Sequence, residues 1–163
     1  MNTDTQALAV FAATLPILLV AHNLADHVTG QTNNQALTKG APTPGQIAAS
    51  RAAGKPLGPH DGWAACAGHV AWYHLTLAAV CALAWAVLPL HWSVPGAALA
   101  LAWSAATHGF IDRRWPVRRL LVALGKESYA DPASGGMNGV YQVDQALHHS
   151  ALLVSAILAS VIR

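Results

Sequence analysis

The chain of 163 residues allows one domain, and it is 54% hydrophobic but only 10% charged, where a soluble domain carries about 25% charged residues. That balance is unlike an ordinary soluble domain and points to a membrane protein with little material outside the bilayer. The net charge of +2 is small, and the two cysteines, Cys66 and Cys81, fall on one predicted helix, too far apart to bridge, which excludes a disulfide framework.

The N-terminal apolar run has no basic leader and passes into His22 and Asp26 instead of a small-residue cleavage site, so it is expected to be retained. A spanning helix needs about 20 mostly apolar residues. The first predicted span runs from about Ala7 to Thr29, with a kink expected at Pro16. A connection over 30–61, rich in Gly, Pro, Thr and Asn, follows, with a short helix expected after Pro44. The second span runs from about Gly62 to Leu88, and "PLHWSVP" (Pro89 to Pro95) is a short turn. The third runs from about Gly96 to Asp112, extending to Trp115. In the second connection, to about residue 140, Val117, Leu120, Leu121 and Leu124 recur at helical spacing beside arginines. This predicts an amphipathic helix lying on the membrane surface. "DPASGGMNG" reads as a flexible loop. The fourth span runs from about Tyr141 to Ile162. The expected fold is all-α: one polytopic membrane domain, a four-transmembrane-helix bundle with an interfacial amphipathic helix between spans three and four. Helices are required because each span must satisfy its own backbone in lipid. The competing reading is a soluble bundle of very apolar helices.

Eight of the nine basic residues lie in the two long connections: Lys39, Arg51 and Lys55 in the first, Arg113, Arg114, Arg118, Arg119 and Lys126 in the second. The positive-inside rule makes that side cytoplasmic in a bacterial inner membrane, with both termini and the 89–95 turn outside. Trp63 and Trp115 then mark one interface and Trp92 the other.

The polar residues of the spans fall into a pattern. His22 and Asp26 are four apart, as are His108 and Asp112 in "HGFID"; Asp144 and His148 repeat the spacing in reverse in "DQALHH". Spans one and three run towards the cytoplasm and span four runs away from it, so the reversal puts all three histidines deeper and all three aspartates shallower. At 1.5 Å per residue the histidines lie roughly 10–12 Å inside the helix ends, and His69 of span two joins them. Charged groups in a bilayer are costly unless neutralised. A divalent transition metal, Zn, Mn or Fe, one or two ions, would neutralise this set of His22, Asp26, His69, His108, Asp112, Asp144 and His148. The rival is a metal-free hydrogen-bonded or proton-conducting core.

Around this layer, Tyr73 shares the face of His69, and Gln31 and Gln145 are placed to orient ligands or bind substrate. Arg113, Arg114 and Arg118 are candidates for an anionic head group, or simply set the topology. Cys66 reads as a packing residue or a ligand, His74 as a core histidine, His27 and His149 as turned away from the cluster, and Asp61 as a helix N-cap.

The segments "HNLADHVTGQT", "KG", "GHVAWYH", "HGFIDRRWPV" and "VYQVDQALHH" resemble the small bacterial and phage membrane proteins of domain of unknown function 3307. The resemblance runs from His22 to His149 and implies the membrane class and the polar set His22, Asp26, Gln31, His69, Tyr73, His108, Asp112, Asp144, Gln145 and His148. It implies no reaction. The expected function is a membrane-embedded metal-dependent hydrolase with Asp26 or Asp144 as general base, acting on a lipid or isoprenoid phosphate. The alternatives are a non-enzymatic membrane protein, holin-like or an exclusion factor, with a structural metal or polar core, and an ion or metal carrier, which would need to act as a homo-oligomer. Membrane lipids are expected partners. Nucleic acid is not, because there is neither a basic-aromatic stripe nor a phosphate-cradling Gly-rich loop.

Overall fold

The computed structural model describes residues 3–130 and 138–162, and these are all-helical with no strand among them. Four long helices dominate: α1 (Thr3–Leu24, extended by a π-helical turn over Ala25–Thr29), α4 (Trp63–Val87), α5 (Val94–Asp112) and α8 (Gly139–Val161). Between them lie α2 (Asn33–Thr38), α3 (Pro44–Ala52), α6 (Trp115–Ala123) and α7 (Glu127–Ala130). The stretch 131–137, where the flexible loop is expected, lies outside the described residues.

Each long helix buries one narrow stripe at a spacing of three or four. The stripes are Val10, Thr14, Leu18 and His22 on α1; Cys66, His69, Tyr73 and Leu77 on α4; Gly96, Ala100, Ser104, His108 and Asp112 on α5; and Asp144, His148, Leu152, Ser155 and Ala159 on α8. This periodicity produces a four-helix bundle. Helix α1 packs against α4 and α8, and α5 against the same two, so α1 faces α5 across the diagonal. The α5–α8 seam is built from small residues, which let the backbones approach. A Cβ added at Gly96 would come within 2.8 Å of the Ile162 carbonyl, and Ser155 donates to the Ala100 carbonyl (3.2 Å).

The outward faces are apolar. Val20, Val28, Trp72, Leu75, Leu83, Trp85, Leu99, Trp103, Phe110 and Ile157 are all exposed. In water so large an apolar surface would drive association; lipid removes the penalty. Three helices are long and apolar enough to cross a membrane: Thr3–Thr29, Trp63–Val87 and Val94–Asp112, with mean hydropathy 1.9, 1.7 and 1.2. Helix α8 falls outside that set because Gln142, Asp144, Gln145, His148 and His149 dilute its first half.

Several boundaries differ from expectation. Helix α5 stops at Asp112 and does not reach Trp115. Pro116 has no N–H to continue it, and Arg114 takes a left-handed φ of 61° before α6 starts. The apolar stripe of α6 is split: Val117 and Leu121 are buried against Ile111, whereas Leu120, Val122 and Leu124 are exposed. Part of the face expected to lie on the membrane therefore docks onto the bundle. Helix α3 matches the expected short helix after Pro44, and α2 was not foreseen. Both begin with a capping box, Thr32 with Gln35 and Thr43 with Gln46.

One end of the bundle gathers the α4–α5 turn, the start of α1 and the end of α8. There Trp92 Nε1 donates to Thr14 Oγ1 (2.8 Å) and Ser93 Oγ to the Ile162 carbonyl (2.6 Å). The π turn, α2 and α6 gather at the other end, with the polar ends of all four helices.

Candidate metal centre

The geometry starts from His69 on α4, which is fully buried. Its Nδ1 donates to the Gly30 carbonyl (2.9 Å). That carbonyl sits just beyond the π turn, a feature that often marks functional sites. With the proton on Nδ1, Nε2 is left with its lone pair. Nε2 faces His108 Nε2 at 2.9 Å, Asp112 Oδ2 at 3.0 Å and Asp26 Oδ1 at 3.1 Å. Asp112 Oδ2 is also 3.2 Å from His108 Nε2, yet it accepts no hydrogen bond among the described residues. Electron pairs aimed at one another at such distances repel unless cations lie among them; the ammonium of Lys39, 3.0 Å from His69 Nε2, supplies one positive charge but does not contact His108 Nε2 or Asp112 Oδ2. Asp26, His69, His108 and Asp112, all buried, each offer one ligand atom, and these atoms lie within 4.8 Å of one another.

A second group shares Asp112. One ligand atom each from Asp112, Asp144 and His148 also lies within 4.8 Å of the others, all three residues being buried. His148 Nδ1 donates to the Asp144 carbonyl (2.9 Å), so its Nε2 keeps a lone pair. Neither that nitrogen nor Asp144 Oδ1 has a partner among the described residues. Mixed imidazole and carboxylate donors of this kind suit a transition metal, so the buried His/Asp groups can hold a metal ion.

Six of the seven expected ligands thus fall into two groups, and His22 belongs to neither. Both of its nitrogens are engaged: Nδ1 is 3.1 Å from the Tyr73 hydroxyl and Nε2 is 3.0 Å from Gln145 Oε1. Gln145 in turn donates from Nε2 to Asp26 Oδ2 (2.9 Å) and Asp144 Oδ2 (3.3 Å). Its oxygen must therefore accept, His22 carries its proton on Nε2, and Tyr73 donates to Nδ1. The chain Tyr73–His22–Gln145 fixes Asp26, which is an orienting role, not a ligand's. The expected roles of Tyr73 and Gln145 as hydrogen-bonding supports match this geometry.

Lys39 was read as a loop charge, but it is buried inside the cluster. Its ammonium lies 3.0 Å from Asp112 Oδ1, 3.0 Å from His69 Nε2 and 3.4 Å from Asp26 Oδ1. Arg113 is buried as well and is not available to a head group. Its Nη1 donates to the Lys39 carbonyl (2.9 Å) and Nη2 to the Asp61 carbonyl (2.6 Å), with the guanidinium 4.5 Å from the Trp63 ring centre. Arg113 therefore holds in place the segment that delivers Lys39. Gly62, not Asp61, caps α4, at a φ of 89°; the Asp61 carboxylate instead accepts from Gly58 N (2.8 Å). Cys66 is a packing residue whose thiol points at the Gly109 carbonyl, and His74 is satisfied by Val70 and Ser104.

The cluster opens into a cavity of about 600 Å³. Asp26, Asp112 and Asp144 line it, with Gln31, Lys39, Gln145, Arg114 and Arg118. Gln31 donates to the Asp26 carbonyl and leaves its buried Oε1 unpartnered. Arg114 Nη2 donates to the Ala36 carbonyl (2.8 Å). Burial, with the Arg114 charge nearby, lowers the Arg118 pKa from its ordinary value; the guanidinium nonetheless stays charged near neutral pH. Two arginine cations thus line the cavity, which suits an anion. Family models, curated proteins and solved structures yield no match to this chain.

Proposed function

We propose that the protein is a membrane-embedded metal-dependent hydrolase of a phosphate-bearing amphiphile, working at the cytoplasmic face of a bacterial inner membrane. The observation that carries this reading is the shared cavity: Asp26, Asp112 and Asp144 of the buried His/Asp groups line it together with Arg114 and Arg118. Such a pairing suits a substrate whose reacting group is a phosphate. A bound ion would activate water and polarise a phosphoryl oxygen. Arg114 and Arg118 would hold the head group. Both carboxylate oxygens of Asp26 are engaged, Oδ1 by Lys39 and Oδ2 by Gln145. Between the two candidate bases, Asp144 is the one with an oxygen, Oδ1, left free to take a proton or to hold an ion.

Helix α8 is read as a fourth span, because its polar groups Asp144 and His148 turn into the bundle and Leu153, Ile157 and Val161 turn outward. The connections carrying eight of the nine basic residues then sit at one end, with the cavity and with α6 at the interface. Beyond the polar layer, Leu18, Leu77, Leu152 and Ala156 form an apolar cluster, which favours a site open to one side over a carrier's path.

The test is elemental analysis of protein purified without chelators, together with release of phosphate from lipid phosphates and pyrophosphates. We expect stoichiometric metal and turnover. His69→Ala and Asp112→Asn should each lose metal and cut turnover by at least about a hundredfold. Wild-type protein free of metal would end the proposal. So would rapid membrane depolarisation on expression that survives both substitutions, which would favour a holin-like role instead.

A further inference from the structure

The two ligand groups are unequal. Resting on the metal-centre reading, we propose that the centre is dinuclear. Asp112 bridges a closed seat, made with Asp26, His69 and His108, and an open seat, made with Asp144 and His148, which the phosphate of the substrate completes.

The shared carboxylate is the first argument. Asp112 contributes to both groups, and its Oδ2 lies beside two imidazole nitrogens without accepting a hydrogen bond. Bridging through that oxygen leaves the bond from Lys39 to Oδ1 intact, while an ion on His69 Nε2 takes the place of the Lys39 ammonium at that nitrogen. The second argument is that one ion in the closed seat would not explain His148. This side chain is 98% buried, being 2% exposed, and its Nε2 has no partner among the described residues. A buried orphan of this kind is costly unless a ligand satisfies it. Asp144 Oδ1 beside it is also unpartnered. A ligand for these atoms must come from the Asp112 side or from the cavity.

Donor number separates the two seats. Four protein donors close a tetrahedral site, as in structural metal centres, whereas three leave a position open, as in catalytic ones. Asp144 lines the same cavity as Arg114 and Arg118, as do Asp26 and Asp112, so a phosphate held there can reach the open position. Charge points the same way. Lys39 pairs with Asp26 and Asp112, and Asp144 adds a third carboxylate beside Asp112, so one divalent ion balances these four groups. A second ion creates a positive surplus in a low-dielectric site, and a phosphate dianion removes it. The second ion should therefore bind weakly alone and tightly with phosphate.

The experiment is titration of metal-stripped protein in lipid nanodiscs with Mn²⁺, with and without inorganic phosphate, read by equilibrium dialysis and electron paramagnetic resonance. We expect one tight ion and a second that binds at least about tenfold more weakly and tightens about tenfold with phosphate, converting the spectrum to an exchange-coupled pair. Asp144→Asn and His148→Gln should each abolish the second ion and the coupling while retaining the first. A single ion in wild-type protein, with or without phosphate, overturns the dinuclear assignment and leaves the metal-centre reading standing. Two uncoupled ions overturn the Asp112 bridge. Absence of any tight ion overturns both readings. The wild-type spectra decide the matter even where a variant fails to fold.

Discussion

At the scale of single residues, three neighbouring arginines have different fates. Arg113 spends both terminal nitrogens on backbone carbonyls in the interior, whereas Arg114 and Arg118 reach the cavity. Hydrogen bonds from a charged donor contribute about 1.5–3 kcal/mol each. Arg113→Ala should therefore lower the unfolding free energy by roughly 3 kcal/mol or more in detergent. Arg118→Ala should leave stability within about 0.5 kcal/mol yet weaken phosphate binding several-fold. Equal effects of the two substitutions on stability would contradict the distinction. The sequence made the three His/Asp pairs visible, because i,i+4 spacing and chain direction fix face and depth. It could not show that His22 is already satisfied on both nitrogens, since Tyr73 and Gln145 arrive from other helices. Nor did it reveal Lys39. A lysine in a polar connection reads as a surface charge, and only the fold brings it to Asp26 and Asp112.

At the scale of elements, the connection 30–62 behaves as part of the site. Its two ends are pinned, by the Gly30 carbonyl on His69 and by Gly62 at the start of α4. A Cβ at Gly62 would lie 2.2 Å from the Thr38 carbonyl and 2.9 Å from Arg113 Nη1, at a backbone angle that favours glycine. Gly62→Ala should cost more than about 1 kcal/mol and, by displacing Thr38, should also shift Lys39 and weaken metal retention. A thermal melt with elemental analysis checks both parts. The long helices were legible from apolar length. The π turn was not, because it is a local change in hydrogen-bond register with no compositional signature. The short helix α2 does carry a signal in the sequence, Thr32 followed three residues later by Gln35, the two halves of its capping box.

At the scale of the whole molecule, the proposed topology puts Lys55 in the cytoplasm and His91 outside, and both are exposed. In a background lacking Cys66 and Cys81, His91→Cys should react with a membrane-impermeant maleimide in intact spheroplasts, and Lys55→Cys only after permeabilisation. The reverse pattern would invert the protein in the membrane. In the proposed topology α8 spans as well, and its inward Asp144 and His148 are what lower its hydropathy below that of the other three helices. The donors of the closed group come from α1, α4 and α5, far apart in sequence and close only in the folded chain. An ion bound there has high affinity for the native state and little for the unfolded one. Metal concentration then becomes a thermodynamic variable of the fold itself. At a free ion concentration a thousandfold above the dissociation constant, linkage adds about 4 kcal/mol to stability. The melting temperature in detergent should accordingly climb with added Zn²⁺ or Mn²⁺ and fall with a chelator, and a cell short of metal would hold less of this protein in its folded form.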